Sequence, residues 1–149
     1  MNKKLGLLAI LVIIILVAFG FFMSHSSSTK EILVGESKFV IPSEYQEQNV
    51  SNHLVKITSG DNIYFINENN NSNITYFVDF YVNHKNVTEN KSVNVSHLMY
   101  GDSDIYKAVV NDNASIVHYW FLKNGKCYEI YTGTANSNTD NLILDIIKS

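Results

Sequence analysis

The apolar run from Leu5 to Met23 constrains this 149-residue chain more than any other feature of its sequence. The run holds nineteen residues without a charge, a side-chain amide or a hydroxyl, and it directly follows Lys3 and Lys4. A helix of that length extends about 28 Å, close to the thickness of the hydrocarbon core of a bilayer. Because lysines stay on the cytoplasmic side, the pattern predicts a cytoplasmic stub at 1–4, a transmembrane helix at 5–23 and an exterior C-terminal part.

Two other interpretations of the run remain open. A secretory signal peptide would be cleaved after a small-x-small site, and Ala18–Gly20 fits that pattern, although Phe21–Met23 continue the apolar run beyond it. A pilin-type leader would be processed at Lys3–Gly6, but Leu11 stands where such a segment usually carries a glutamate, and His25–Thr29 interrupts the helix. A retained single-pass anchor is therefore the preferred prediction, with secretion after cleavage as the alternative.

Seven Asn-x-Ser/Thr acceptor sequences for N-glycosylation lie beyond the apolar run and support the same placement. The acceptors are Asn49, Asn70, Asn73, Asn86, Asn90, Asn94 and Asn113. Glycans at these positions would require an extracytoplasmic location and solvent-facing side chains. An Asn-rich, AT-biased genome would produce the same excess without any glycosylation.

The part of the chain after the run has the size of one domain. We predict a flexible linker at 24–29 and an extracytoplasmic domain at 30–149. Beyond Met23, nine lysines face fourteen acidic residues, so the formal charge is about −5, and there is no arginine. This balance argues against nucleic-acid partners. The single cysteine, Cys127, excludes an internal disulfide and a cysteine-based zinc site.

Alternation of apolar and polar residues predicts strands in most of the domain. The clearest is Ile74–Val82, which places five apolar residues on one face. Shorter strands are predicted at Glu31–Val34, Lys38–Ile41, His53–Thr58, Asn62–Asn67 and Ile105–Val110. A hairpin is predicted from Ser115–Lys123 and Lys126–Gly133, because Asn124-Gly125 supplies the residues of a type I′ turn. Its register pairs His118 with Tyr131 and Trp120 with Glu129.

Two helices complete the prediction. An apolar stripe through Leu142, Ile143, Ile146 and Ile147 indicates a C-terminal helix, and a second helix is predicted at Glu89–Met99. The expected fold class is α+β: an antiparallel sheet of five to seven strands with a C-terminal helix and one more helix packed on it, preceded by the transmembrane helix.

Three segments resemble small PsbP/Mog1-like α-β-α sandwich domains. Phe39–Tyr45 resembles their opening of strand, proline, short turn and aromatic residue. Lys126–Tyr131 is similar to their final strands, and Asn141–Ser149 to their closing helix. Membrane-anchored proteins of methanogenic archaea are similar in composition and layout. The resemblance implies a non-catalytic binding module, and it assigns no site residue.

The best candidate binding face is the second face of the hairpin, formed by His118, Trp120, Glu129 and Tyr131. His118 and Glu129 are diagonal neighbours within reach of a histidine–carboxylate pair. The preferred interpretation of the same residues is structural: the sheet face that a helix half covers, with Glu129 turned toward water.

The other residues with reactive or metal-binding side chains are expected to have structural roles. Gly101–Asp104 is a polar turn rather than a cation loop, and Cys127 is a packed small hydrophobe rather than a nucleophile. No metal or cofactor motif is present. Several tyrosines next to Asn-rich loops are predicted to be exposed: Tyr64, Tyr81, Tyr100 and Tyr106.

These observations leave three hypotheses for function. The first is a non-catalytic module that binds a protein or a glycan outside the cell, anchored by Leu5–Met23. The second is a cell-envelope enzyme that uses His118 and Glu129, or Asp102 and Asp104, as its acid–base groups. The third is a pilin-like assembly subunit. The first hypothesis is preferred because no catalytic motif accompanies the other two.

Overall fold

A computed structural model describes residues 28–149. The predicted cytoplasmic stub, the transmembrane helix and residues 24–27 of the linker lie outside these residues. Thr29, the last residue of the predicted linker, is the first residue of a strand. Within 28–149, no helix combines the length and the apolar character that crossing a membrane requires.

Nine strands and two α-helices follow one another along the described residues. In chain order they are β1 (Thr29–Val34), β2 (Ser37–Pro42), β3 (Gln46–Ser51), β4 (Leu54–Ser59), β5 (Asn62–Glu68), α1 (Ile74–Asn83), β6 (Val93–Tyr100), β7 (Ser103–Val110), β8 (Asn113–Lys123), β9 (Lys126–Thr132) and α2 (Thr139–Lys148). A π-helical turn at His84–Thr88 continues α1.

The strands form two antiparallel sheets. Strands β1 and β2 make a two-stranded sheet, and the other seven follow the order β3-β4-β5-β9-β8-β7-β6. All pairings between neighbouring strands are antiparallel. With one helix at the C-terminus and one between β5 and β6, the described residues have the predicted α+β fold.

Each face of the seven-stranded sheet is covered by a different layer. One face packs against β1, β2 and α2, and the side chains between these layers form the larger core: Ile32, Val34, Phe39, Ile41, Tyr45, Val55, Ile57, Tyr64, Ile66, Ile105, Val117, Tyr119, Phe121, Tyr128, Ile130, Ile143, Ile146 and Ile147. The other face packs against α1 around a smaller core, made of Ile74, Val78, Ala108, Trp120 and Cys127. Because α1 covers only part of its face, this is where a site can open to solvent.

The β8–β9 hairpin forms as predicted. Its register joins Lys123 to Lys126 and His118 to Tyr131, and its turn residues Asn124 and Gly125 have φ values of 53° and 74°. Positive φ at both turn residues is the type I′ geometry that the Asn-Gly pair favours. The chemistry of two turn residues therefore fixes which side chains share each face of the hairpin.

The strand predicted at Ile74–Val82 is wrong, because this segment is the helix α1. Nearly every residue in it is apolar or aromatic, so the segment satisfies both the strand and the helix period. The N-cap favours the helix over the strand, because the Asn73 side chain accepts a hydrogen bond from the Tyr76 amide. Ile74 and Val78, four residues apart, then share the buried face.

The helix predicted at Glu89–Met99 is also wrong. Asn90 has a φ of 52°, which ends the preceding helical turn, and Val93–Tyr100 forms β6 with eight residues paired to β7. β-Branched residues such as Val93 and Val95 favour a strand, and the spacing of Val95, Leu98 and Met99 matched the helix period by coincidence.

Strand β3 was not predicted, since all six of its residues are exposed and it lacks an apolar alternation. It forms one edge of the seven-stranded sheet, and β6 forms the other. Each edge strand carries a predicted glycosylation acceptor, Asn49 in β3 and Asn94 in β6, and both are exposed.

Candidate functional site

The predicted binding face is assembled by the β8–β9 register. His118 lies opposite Tyr131 and Trp120 lies opposite Glu129, so the four side chains share one sheet face. His118 Nδ1 is 2.6 Å from Glu129 Oε1, which makes the predicted histidine–carboxylate pair. The contact orients the imidazole, because a carboxylate at Nδ1 fixes the position of the ring.

An aromatic row extends from this pair across three strands. The His118 ring stacks on Trp120 at 5.4 Å and on Tyr131 at 5.2 Å between centroids, with interplanar angles of 17° and 10°. Phe65 of β5 continues the row by stacking on Tyr131 at 4.9 Å. Each stacked pair contributes about 0.5–1.5 kcal/mol beyond burial of its surface, so the row stiffens the centre of the sheet.

Helix α1 covers most of this face. The Tyr81 ring lies 4.2 Å from the His118 ring and 5.4 Å from Trp120, and Trp120 retains only 2% of its exposure. The side chains of His118 and Glu129 are 14% and 16% exposed. Glu129 therefore does not point freely into water. The surrounding rings leave little room for a substrate beside the pair.

The Tyr81 hydroxyl is buried and has no hydrogen-bond partner within residues 28–149. Burial, together with the negative charges of Glu129 and Glu89, raises the pKa of Tyr81 to about 12. A phenol with such a pKa remains protonated at neutral pH. The ring of Tyr81 covers the aromatic row.

The remaining predicted chemical groups do not join the His118–Glu129 contact. Asp104 lies on the same sheet face, since strand pairing aligns His97, Tyr106 and Trp120, but its carboxylate contacts His97 toward the β6 edge. Asp102 is exposed in the turn between β6 and β7. Burial raises the pKa of the Cys127 thiol to about 11, and its side chain is fully buried, as expected for a packed hydrophobe. Across 28–149, no three His, Cys, Asp or Glu side chains converge closely enough to hold a metal ion.

The predicted exposure of four tyrosines holds only in part. Tyr64 is 1% exposed and belongs to the larger core, so that prediction is wrong. Tyr81, Tyr100 and Tyr106 are half-buried. Tyr64 follows the alternation of β5, whose Ile66 faces the same core, and this pattern outweighs the neighbouring polar loop.

The seven glycosylation acceptors are all exposed. They are Asn49, Asn70, Asn73, Asn86, Asn90, Asn94 and Asn113. Asn73 and Asn113 also accept hydrogen bonds from nearby main-chain amides, the first at the start of α1 and the second at the start of β8. Exposure meets the physical requirement for modification, and glycosylation itself stays a prediction.

The outer face of α1 is a feature that the sequence did not predict. Tyr76 and Phe80, four residues apart, are 54% and 63% exposed, and Val87 in the following π-helical turn is 83% exposed. The Phe80 ring stacks on His84. The helical spacing at 76, 80 and 84 would have revealed this stripe if the segment had been assigned as a helix.

A buried carboxylate at the end of β5 was also missed. The Glu68 side chain is only 6% exposed, and its Oε2 accepts hydrogen bonds from the Glu36 amide at 3.0 Å and the Tyr128 hydroxyl at 2.8 Å. Oε1 lies 3.5 Å from His53 Nδ1 and 3.8 Å from Lys126 Nζ. Burial alone would raise the pKa of Glu68, but these donors and positive charges hold it below 4.5.

Acidification is expected to destabilise the chain through Glu68 and Asp140. Burial disfavours the charged form of Asp140 as well, but contacts with Lys107 and the Tyr119 hydroxyl hold its pKa below the ordinary 3.8. Since both carboxyls have lowered pKa values in the folded state, their contribution is complete well above pH 4.5 and is lost as the pH falls below about 4.

The measurement is the urea midpoint of the full chain in detergent at pH 6.5 and pH 3.5, followed by the fluorescence of Trp120, the one tryptophan. Glu68→Gln and Asp140→Asn should each lower the midpoint at pH 6.5 and reduce its loss on acidification. Asp61→Asn, at an exposed turn residue without an ion pair in the described part of the chain, is the control. An unchanged acid dependence in both variants would contradict the prediction.

The described domain has a PsbP-like α+β fold. Its structure is similar to the solution structure of cyanobacterial PsbP (CyanoP) from Synechocystis sp. PCC 6803, with a TM-score of 0.52 over 83% of this chain and 91% of that one. The two sequences are 13% identical, so the similarity concerns the fold alone. No protein family and no curated protein matches the chain by sequence.

Proposed function

We propose that this chain is a membrane-anchored, extracytoplasmic and non-catalytic binding module that docks a partner protein through the outer face of α1. The apolar run at Leu5–Met23 supports the anchor, and the acceptor sequences beyond it support the exterior location. This layout resembles that of membrane-anchored proteins of methanogenic archaea, and we infer the same arrangement here.

The observation that carries the proposal is that α1 is apolar on both sides. Its inner face packs Ile74 and Val78 against the sheet, while Tyr76 and Phe80 extend outward with more than half of their surfaces exposed. A surface helix of a soluble domain normally turns polar residues outward, and a helix that is apolar all round is normally buried. The outer face is therefore expected to be covered when the protein functions.

A partner protein fits this face better than a lipid surface. Helices that lie on membranes carry lysines and arginines beside their apolar stripe. Here Asp79 adds a negative charge to the helix, and Lys85 is paired with Glu89 at 2.7 Å. Exposed tyrosine and phenylalanine side chains are typical anchors for a hydrophobic groove of another protein.

The test is photo-crosslinking in the native membrane with the full chain. A benzophenone amino acid at position 80 is expected to yield one discrete protein adduct. Tyr76→Ser should reduce that adduct by about tenfold, the effect of losing one anchor residue worth about 1.4 kcal/mol. Its stability should change by no more than about 0.5 kcal/mol, as is usual at an exposed position.

The matched control carries the same benzophenone at position 50, where Val50 of β3 is 53% exposed. An adduct of equal yield from position 50, an adduct with lipid alone, or indifference to Tyr76→Ser would each count against docking through α1.

A cell-envelope enzyme is the second candidate, favoured by the 2.6 Å contact between His118 and Glu129. It predicts that a His118→Gln, Glu129→Gln double variant abolishes a cellular phenotype of the gene while the adduct at position 80 persists. The docking proposal predicts the reverse for the phenotype: it survives the double variant and is lost in the Tyr76→Ser variant. The pilin-like alternative concerns residues 1–27 and stays a prediction.

A further inference from the structure

We propose that the cleft region around His53, separate from α1, is a binding site for a neutral saccharide. Three turns that are distant in sequence meet here. The Gly35 amide donates to the Asn52 carbonyl at 2.8 Å, and the Glu68 amide donates to the His53 carbonyl at 2.8 Å. The β1–β2 turn, the β3–β4 turn and the end of β5 are thus held as one rigid platform.

Two clefts flank the His53 side chain, which is 62% exposed and lines both of them. One has a volume of about 380 Å³ and includes Leu33, Asn49 and Asn52 in its lining. The other, of about 340 Å³, is lined by His53 and the consecutive residues 67–70. Each volume lies within the range of sites for small ligands.

A buried carboxylate in the lining of the second cleft can still accept a hydrogen bond. Glu68 lines this cleft, and its Oε1 makes no hydrogen bond within the described residues, although two nitrogens lie at 3.5 and 3.8 Å. The other oxygen, Oε2, is fully engaged by the Glu36 amide and the Tyr128 hydroxyl. A rigid carboxylate with one open oxygen is a strong acceptor for a ligand hydroxyl.

The charges and side chains of the lining select a neutral, hydroxyl-rich ligand. Glu36 and Glu68 disfavour an anion, while Lys126, which lies 3.8 Å from each of these carboxylates, disfavours a cation. The rim carries several amides, a group that both donates to and accepts from vicinal hydroxyls: Asn49, Asn52, Asn67, Asn69 and Asn70. Asn67 Nδ2 already donates to Asn69 Oδ1, and Asn69 Nδ2 to Cys127 Sγ, so the amides that a ligand can engage are chiefly those of Asn49, Asn52 and Asn70. Leu33, which is 61% exposed, supplies an apolar surface for the face of a sugar ring.

The saccharide has two conceivable sources, which share this chemistry. It belongs either to another molecule or to the chain itself, because the acceptors Asn49 and Asn70 both line the clefts. A glycan attached at either position would begin beside the site. Producing the chain with and without N-glycosylation distinguishes these sources and leaves both lining residues, Asn49 and Asn70, unchanged.

The experiment is saturation-transfer NMR on the full chain in nanodiscs, with glucose, galactose, mannose and N-acetylglucosamine as probes at millimolar concentrations. Inorganic phosphate and methylammonium serve as anionic and cationic probes in competition. We expect transfer to at least one sugar. His53→Ala and Asn52→Ala should each weaken it by roughly tenfold, since each removes hydrogen bonds to the sugar. The matched controls, His97→Ala and Asn83→Ala at exposed positions outside the clefts, should leave it unchanged.

Stronger transfer in the chain produced without N-glycosylation than in the chain produced with it would identify the chain's own glycan as the occupant; equal transfer would indicate a saccharide from elsewhere. The proposal is overturned if no sugar receives saturation in either chain, if methylammonium or phosphate displaces the sugar competitively, or if transfer persists in both His53→Ala and Asn52→Ala. None of these results depends on the adduct at position 80, so docking through α1 stands or fails independently.

Discussion

Replacing Phe39 with alanine is expected to destabilise the chain by about 3–5 kcal/mol, the usual cost of removing a buried phenylalanine side chain. Phe39 of β2 is fully buried, and its ring centroid lies 5.1 Å from Tyr128 and 6.2 Å from Phe121. Because β1 and β2 form their own sheet, side-chain packing of this kind is what fastens them to the seven-stranded sheet. The loss is measured by urea unfolding of the full chain through Trp120 fluorescence.

The control for this prediction is Leu33→Ala on the neighbouring strand β1. Leu33 is 61% exposed, so its truncation should change the free energy of unfolding by no more than about 0.5 kcal/mol. If Phe39→Ala cost as little as Leu33→Ala, the two-stranded sheet would not be an integral layer of the domain.

Gly35→Ala is expected to cost about 2–4 kcal/mol, from two separate sources. Gly35 has a φ of 57°, a left-handed conformation that costs any L-residue about 1–2 kcal/mol. In addition, an added Cβ would lie only 1.6 Å from Glu68 Oε2. The carboxylate would have to leave its two hydrogen-bond donors, which adds the cost of leaving buried polar groups unpaired.

Gly60→Ala separates these two sources in the same measurement. Gly60 also has a φ of 57°, but an added Cβ there meets nothing within 4 Å, so only the conformational cost of about 1–2 kcal/mol applies. In a Glu68→Gln background the excess cost at Gly35 should persist, whereas in Glu68→Ala it should shrink to the value for Gly60. Equal costs for the two glycine variants in the native background would contradict the contact.

Sequence reasoning captured the parts of the fold that short-range chemistry controls. The β8–β9 register follows from Asn124-Gly125, and the apolar stripe of α2 follows from four aliphatic residues at helical spacing. It failed for α1, where both periods were satisfied and the capping side chain of Asn73 settled the outcome. It failed for β3 as well, since an exposed edge strand leaves no alternation to read.

The error at α1 also concealed the proposed docking surface. On a strand, Ile74, Tyr76, Val78 and Phe80 would all share one face and disappear into the core. On a helix, each step of two residues turns the chain by about 200°, so Tyr76 and Phe80 point away from Ile74 and Val78. The same four residues thus become one buried pair and one exposed pair.

The His53 cleft was beyond prediction for a different reason. Gly35, His53 and Glu68 are separated by 18 and 15 residues, and in the sequence each lies in a polar turn or at the end of a predicted strand. Only strand pairing brings them together. By contrast, the contact between His118 and Glu129 was predictable, because a two-residue turn fixes both partners within a single hairpin.

Strand β1 separates the proposed saccharide site from the point where the polypeptide enters the described domain. Its six residues, Thr29–Val34, rise by about 20 Å, and Gly35 at the far end belongs to the cleft. With the proposed anchor preceding Thr29, the anchor and the cleft are joined to opposite ends of β1. A ligand in the cleft would then be connected to the anchor through a single rigid strand and not through a flexible loop.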